Sequence, residues 1–97
     1  MTPVRWSPEA VADLESIRDF IGRDSPYYGQ LVLQQIVAAV DQVSTFPLSG
    51  RVVPELESQE YRELIVGSYR IVYRLRRESA EIVTVFRGAR LFALPNE

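Results

Sequence analysis

The sequence predicts an α+β fold: a short N-terminal strand, then an antiparallel helical hairpin packed on a small antiparallel β-sheet, in the order β-α-α-β-β-β. Two Ser-Pro dipeptides each open a stretch with apolar residues at helical spacing, and these supply the helices. Three alternating stretches rich in β-branched and aromatic residues, joined by two-residue turn signals, supply the sheet.

Val4, Arg5 and Trp6 form a short β-prone start. Ser7 then reads as an N-cap, Pro8 as the first helical residue, and Glu9 as an acid in the first turn. Ala10, Leu14, Ile17 and Ile21 recur along one face, flanked by Val11 and Phe20. Asp13, Glu15, Arg18 and Asp19 occupy the other face, where the acids read as solvated charges rather than an acid–base pair. Gly22 marks the end. Ser25 and Pro26 repeat the start signal, and Leu33, Ile36, Val40 and Val43 carry a second helix to about Thr45, before Phe46-Pro47. The short link predicts an αα-hairpin. Residues 46–54 hold two prolines and a glycine and read as a loop.

Strands are predicted at Tyr61–Val66, 69–76 and Ala80–Arg87. Gly67-Ser68 fits a two-residue hairpin turn of type II′, and Glu78-Ser79 makes the next reversal. A two-residue turn sets Val66 opposite Tyr69, Leu64 opposite Ile71 and Arg62 opposite Tyr73. Tyr69, Ile71, Tyr73 and Leu75 then face the helices. Arg70, Val72, Arg74 and Arg76 share the other side with Glu63, a partner for Arg70. That side is either a solvated surface or an arginine face for anions or a protein, with Arg87 and Arg90 extending its rim. Trp6, Phe20, Phe46 and Tyr73 are expected in the core. Arg51 is expected to cap a carbonyl or pair with Glu55.

The 97 residues predict one domain over positions 1–97, 46% hydrophobic and 25% charged. No apolar run approaches the roughly 18 residues a membrane helix needs. Met1 to Trp6 lacks the basic and apolar regions of a secretory signal, so a cytoplasmic protein is expected. The net charge of −2 argues against bulk electrostatic binding to nucleic acid. All eleven basic residues are arginines, and eight of them lie from Arg51 to Arg90. That bias reads first as the codon usage of a GC-rich genome and, alternatively, as a guanidinium face suited to phosphates or carboxylates. Cysteine and histidine are absent, which removes disulfides, the commonest metal ligands and the usual neutral-pH base. No Gly-rich phosphate loop, hydrolase elbow or metalloprotease motif occurs. No metal or cofactor is therefore expected, and any catalysis would fall to Arg, Tyr, Glu or backbone groups.

Three patterns carry a family resemblance. Trp6-Ser7-Pro8-Glu9-Ala10-x-x-Asp13-Leu14-x-x-Ile17 resembles the opening of ParE-like plasmid-stabilisation toxins. So does Phe46-Pro47-x-x-Gly50-Arg51 followed by Val53-Pro54-Glu55. Tyr61-Arg62-Glu63-Leu64-x-x-Gly67-x-Tyr69-Arg70-Ile71-Val72-Tyr73-Arg74 resembles the central hairpin of the RelE/ParE superfamily. The resemblance spans nearly the whole chain in order. It implies the toxin of a type II toxin–antitoxin pair, held by a cognate antitoxin whose C-terminal segment orders on binding.

It also implies one of two targets. The ParE-like branch poisons DNA gyrase by binding, with no catalytic constellation and no direct DNA binding expected from the toxin alone. The resemblance does not fix which residues meet gyrase; the arginine face and tail make Arg70, Arg74, Arg87 and Arg90 the expected target contacts, and Tyr27, Tyr28, Arg51 and Arg74 are the expected antitoxin contacts. The RelE-like branch cuts mRNA on the ribosome, and Arg62, Arg70 and Arg90 would match its basic residues. Leu64 stands where RelE is basic, Asn96 stands near its tail tyrosine, and the chain is not basic overall. Gyrase inhibition is therefore the favoured expectation. The mRNA endonuclease and a non-toxic antitoxin-binding module are the alternatives.

Overall fold

The computed structural model describes residues 1–88 and 92. Its elements are β1 (Val4–Trp6), α1 (Pro8–Gly22), α2 (Pro26–Thr45), β2 (Arg51–Val52), β3 (Tyr61–Val66), β4 (Tyr69–Leu75) and β5 (Ala80–Arg87). Both helix starts are set by their serines. Ser7 Oγ accepts from the Ala10 N–H at 3.0 Å, and Ser25 Oγ from the Tyr28 N–H at 3.2 Å. Each serine is followed by proline, whose missing N–H costs nothing in a first turn. Among the described residues no helix is long and apolar enough to cross a membrane.

The strands form one sheet in the order β1-β5-β4-β3-β2. The β3–β4 register is as the two-residue turn requires: Val66 opposite Tyr69, Leu64 opposite Ile71, Arg62 opposite Tyr73. Gly67 has φ 56°, and among the described residues no non-glycine has positive φ, which is the type II′ pattern. Two features depart from the expected antiparallel sheet. β1 lies parallel to β5, Val4 opposite Ala80 and Trp6 opposite Ile82, so the sheet is mixed. Part of the expected 46–54 loop pairs as β2, Arg51 opposite Glu63.

The helical hairpin packs on one face of this sheet. Ala10, Val32, Ile36, Val40 and Val43 meet Ile71, Tyr73, Ala80, Ile82 and Val85. The other face carries a second, smaller core of Val53, Val72, Phe86 and Phe92. Phe20 and Phe46, expected inside, are instead 58% and 59% exposed. Phe20 flanks the apolar stripe of α1 rather than lying on it, and Phe46 falls in the loop after α2.

Tyr73 is fully buried and serves as the loop's anchor. Its hydroxyl donates to the Pro47 carbonyl at 2.8 Å and accepts from the Gly50 N–H at 2.9 Å. Gly50 is required there, because a Cβ would stand 2.6 Å from Tyr73 Oη and 2.8 Å from the Glu63 carbonyl. Burial pushes the Tyr73 phenol above its ordinary value, so it remains a neutral donor. Tyr73→Phe leaves both loop groups without that partner and is expected to cost about 1–3 kcal/mol. Urea unfolding checks this; an unchanged midpoint would mean that water replaces the hydroxyl without loss.

Candidate functional site

The face expected to present arginines is largely closed. Arg70 extends from β4 into the second core and is 7% exposed, while Glu63 beside it on β3 is 1% exposed. Arg70 Nε meets Glu63 Oε1 at 2.9 Å. Its two terminal nitrogens hold Glu55 in a bidentate pair at 2.6 and 2.7 Å. The guanidinium lies 5.2 Å from the Phe86 ring centroid, and Phe92 stacks on Phe86 at 5.6 Å. Glu55 also accepts from the Phe92 N–H at 3.0 Å. Arg51, on the edge strand β2, pairs with the remaining oxygen of Glu63 rather than with Glu55. The result is an alternating chain Arg51–Glu63–Arg70–Glu55 that joins β2, β3, β4, the loop after β2 and Phe92. Desolvation makes isolated buried charges costly, and this alternation is what makes them tolerable.

Glu55 is held down at about 2, chiefly by its hydrogen bonds to Arg70, against the opposing effect of burial. Its folded value lies below the unfolded one, so its contribution is complete above the ordinary value of 4.5 and disappears as pH falls through about 2. Glu55→Gln is accordingly expected to flatten the loss of stability between those pH values, measured by thermal unfolding across an acid series. Parallel curves for both proteins would refute the coupling.

The other arginines of the expected face have local partners too. Arg74 meets Glu60 at 3.1 Å and lies 5.4 Å from the Tyr61 ring centroid. Arg76, just beyond β4, pairs loosely with Glu81 at 3.6 Å. Arg62 lies on the opposite, helix-facing side and donates to the Gly50 carbonyl at 3.2 Å, holding the 46–50 loop. Leu64 also faces the helices, against the main core.

Two open clefts flank the tip of the β3–β4 hairpin; a third, of 430 Å³, lies between α1 and α2 around Arg18 and Arg23. A cleft of 620 Å³ on one side includes Arg51, Glu55, Ile65 and Arg70 in its lining. A narrower one of 280 Å³ on the other side includes Phe20, Tyr28 and Val66. Gly67, Ser68, Tyr69 and Arg87 line both. Arg87 is exposed, and among the described residues no carboxylate pairs with it. Phe20 and Tyr28 in the second cleft and Ile65 in the first are exposed, as is Tyr27 at the start of α2. A guanidinium with no carboxylate partner among the described residues, sharing its clefts with exposed apolar and aromatic side chains, is suited to a partner offering an acidic group beside an apolar anchor. Arg90 lies outside the described residues, as does Asn96.

Alternation along the strands locates Arg70 and its pairing with Glu63 but does not reveal Glu55 as the second partner. Glu55 comes from a loop, where alternation gives no direction. Asp13 departs from its expected place on a solvated helix face: its carboxylate points to β5, where it accepts from Thr84 and Val85.

Residues 4–92 match the family of ParE toxins of type II toxin–antitoxin systems, parDE. The chain is 36% identical over 92 residues to toxin RelE2 of Caulobacter vibrioides, covering 94% of this chain and all of that protein. It is 34% identical over 87 residues to the Y4kP protein of Sinorhizobium fredii, covering 88% and 86% of the two. A solved chain of the chromosomal ParDE system of P. aeruginosa shares the fold, with a TM-score of 0.75, 23% identity and coverage of 90% of this chain and 96% of that one.

Proposed function

This chain belongs to the ParE toxin family of type II toxin–antitoxin systems, and from that premise we propose that it inhibits DNA gyrase by direct binding and is neutralised by a cognate antitoxin. The observation that carries this reading is the separation of Arg62 from Arg70. A nuclease of the RelE kind would need its basic groups around one phosphate. Here Arg62 holds a loop on the helix-facing side, while Arg70 is buried on the other side between two glutamates. Arg70 is thereby withheld from solvent, and Arg62, half-buried, faces the other side of the sheet, which supports the binding reading. The binding reading asks only for an accessible surface, and the hairpin tip around Arg87 offers one. Arg87 is its centre, with Arg90 as a further proposed contact of the same surface. Arg70, held by Glu55 and Glu63, supports it from behind, and Arg74, paired with Glu60 at the far end of β4, is a further proposed contact.

The antitoxin is proposed to cover Tyr27 and Tyr28, 78% and 55% exposed at the start of α2. Exposed tyrosines give large contact area at low cost in side-chain entropy. Arg51 on the edge strand β2 and Arg74 near the end of the central strand β4 are proposed to meet acidic groups of the same partner. The P. aeruginosa chain of like fold comes from a ParDE system, which agrees with a toxin–antitoxin pairing.

Two assays on the purified chain test the proposal. It is expected to block gyrase supercoiling of relaxed plasmid and to leave mRNA intact on translating ribosomes. Ribosome-dependent mRNA cleavage with unimpaired gyrase would overturn it in favour of the endonuclease. Activity in neither assay would leave an antitoxin-binding module.

A further inference from the structure

Two polar side chains near the N-terminus, Ser7 and Asp13, have no part in the target surface just described. Both point to β5. β1 stops at Trp6, opposite Ile82, and the chain turns away into α1. Beyond Ile82 the outer edge of β5 has no described strand beside it, so its backbone groups need other partners. Ser7 supplies a donor: its hydroxyl bonds to the Val83 carbonyl at 2.9 Å while accepting from the Ala10 N–H. Asp13 supplies an acceptor: Oδ2 takes the Val85 N–H at 2.9 Å and the Thr84 hydroxyl at 2.6 Å.

These contacts flank an irregularity. Ile82 opposes Tyr73 and Thr84 opposes Val72, so Val83 is an extra residue on β5. The extra residue changes which side chains face which way. Ala80 and Ile82 pack under the helices, and so does Val85; Val83 and Phe86 pack on the second core. With unbroken alternation from Ala80, Phe86 would face the helices and Arg87 would emerge beside Arg70. Instead Arg87 stands opposite Tyr69, on the helix-facing side of the hairpin tip, and Phe86 lies beneath the Arg70 guanidinium.

We propose that Ser7 and Asp13 form a clamp that fixes the bulge at Val83, making Asp13 the positioning residue that decides which face of the sheet presents Arg87. Through these two polar side chains, the start of α1 sets the register of a strand about 70 positions away in sequence. Only the functional arm of the test rests on the gyrase reading.

The test compares the isotope-labelled full-length protein with Asp13→Ala and Asp13→Asn by NMR. In Asp13→Ala the Val85 amide is expected to exchange at least about tenfold faster, because it loses a charge-assisted bond. The Tyr69–Arg87 cross-strand contact should weaken, and a Tyr69–Phe86 contact should replace it. Asp13→Asn keeps a side-chain carbonyl at the same place and should restore both signals. Unchanged Val85 exchange together with an intact Tyr69–Arg87 contact in Asp13→Ala would overturn the clamp. Should Asp13→Ala not fold, Ser7→Gly carries the test, since glycine is tolerated at an N-cap. Faster Val85 exchange with α1 still helical supports the clamp, and unchanged exchange rejects it. Gyrase inhibition by Asp13→Ala is expected to fall with the register. A displaced register with full inhibition would leave the clamp standing and remove Arg87 from the target surface.

Discussion

Replacing Arg70 by alanine is expected to destabilise the protein by about 3–5 kcal/mol, the range for removing one partner of a buried ion pair. The reason is what stays behind. Among the described residues Glu63 would keep only Arg51, whose side chain is 63% exposed, and Glu55 would lose its two shortest hydrogen bonds. The Phe86 ring would also lose the guanidinium that lies over it. A chain of this size has a total stability of roughly 5–15 kcal/mol, so the variant would stand near the unfolding threshold at growth temperature. Arg18→Ala is the control. Arg18 meets its neighbour Asp19 on an open helix face, and its loss is expected to change stability by less than about 1 kcal/mol. Thermal or urea unfolding of the two variants side by side decides the matter. Equal midpoints would show that the buried chain of charges contributes no more than a surface pair. Arg70→Lys should recover little, because an ammonium cannot hold Glu55 through two parallel bonds while also meeting Glu63.

The second large effect concerns activity. Arg87→Glu is expected to weaken gyrase inhibition by at least about 30-fold, the scale of a hot-spot residue at a protein interface. The unfolding midpoint should hardly move, because exposed substitutions away from buried features seldom exceed about 0.5 kcal/mol. The reasoning is electrostatic. Among the described residues Arg87 has no carboxylate partner, so reversing its charge breaks nothing inside the protein but sets an acid against the acidic group proposed on the target. Arg77→Glu, at the opposite end of β4, makes the same charge change away from both clefts and should retain inhibition. Arg87→Glu with Arg90→Glu extends the same test along the proposed rim and should abolish toxicity. If Arg87→Glu inhibits gyrase as well as the parent, the hairpin tip is not the target surface. If Arg77→Glu loses inhibition equally, the effect is one of overall charge.

The site was legible where direction along a strand was enough. Alternation in β3 and β4 set Arg70 and Glu63 on one side and Arg62 on the other. It did not show that this side would be covered, because the cover comes from the loop around Glu55 and from Phe92. Alternation also gave no warning that Arg87 had changed sides. One extra residue in β5 is invisible in a stretch where Val83, Val85 and Phe86 are all apolar.

What could be read from the chain unaided are the parts whose causes lie within a few residues. Ser7-Pro8 and Ser25-Pro26 start the helices, and Gly67-Ser68 closes the hairpin and sets its register. Capping and turn geometry are satisfied by adjacent backbone groups, so neighbours along the chain suffice to specify them. The parallel seat of β1 against β5, the bulge at Val83 and the closure of the arginine face arise at a later level, in three dimensions. Each depends on hydrogen bonds or charges supplied by residues distant in the chain: Ser7 and Asp13 for the edge of β5, Glu55 for Arg70. Such partners are specified by the assembled arrangement of helices and sheet and not by neighbours along the chain.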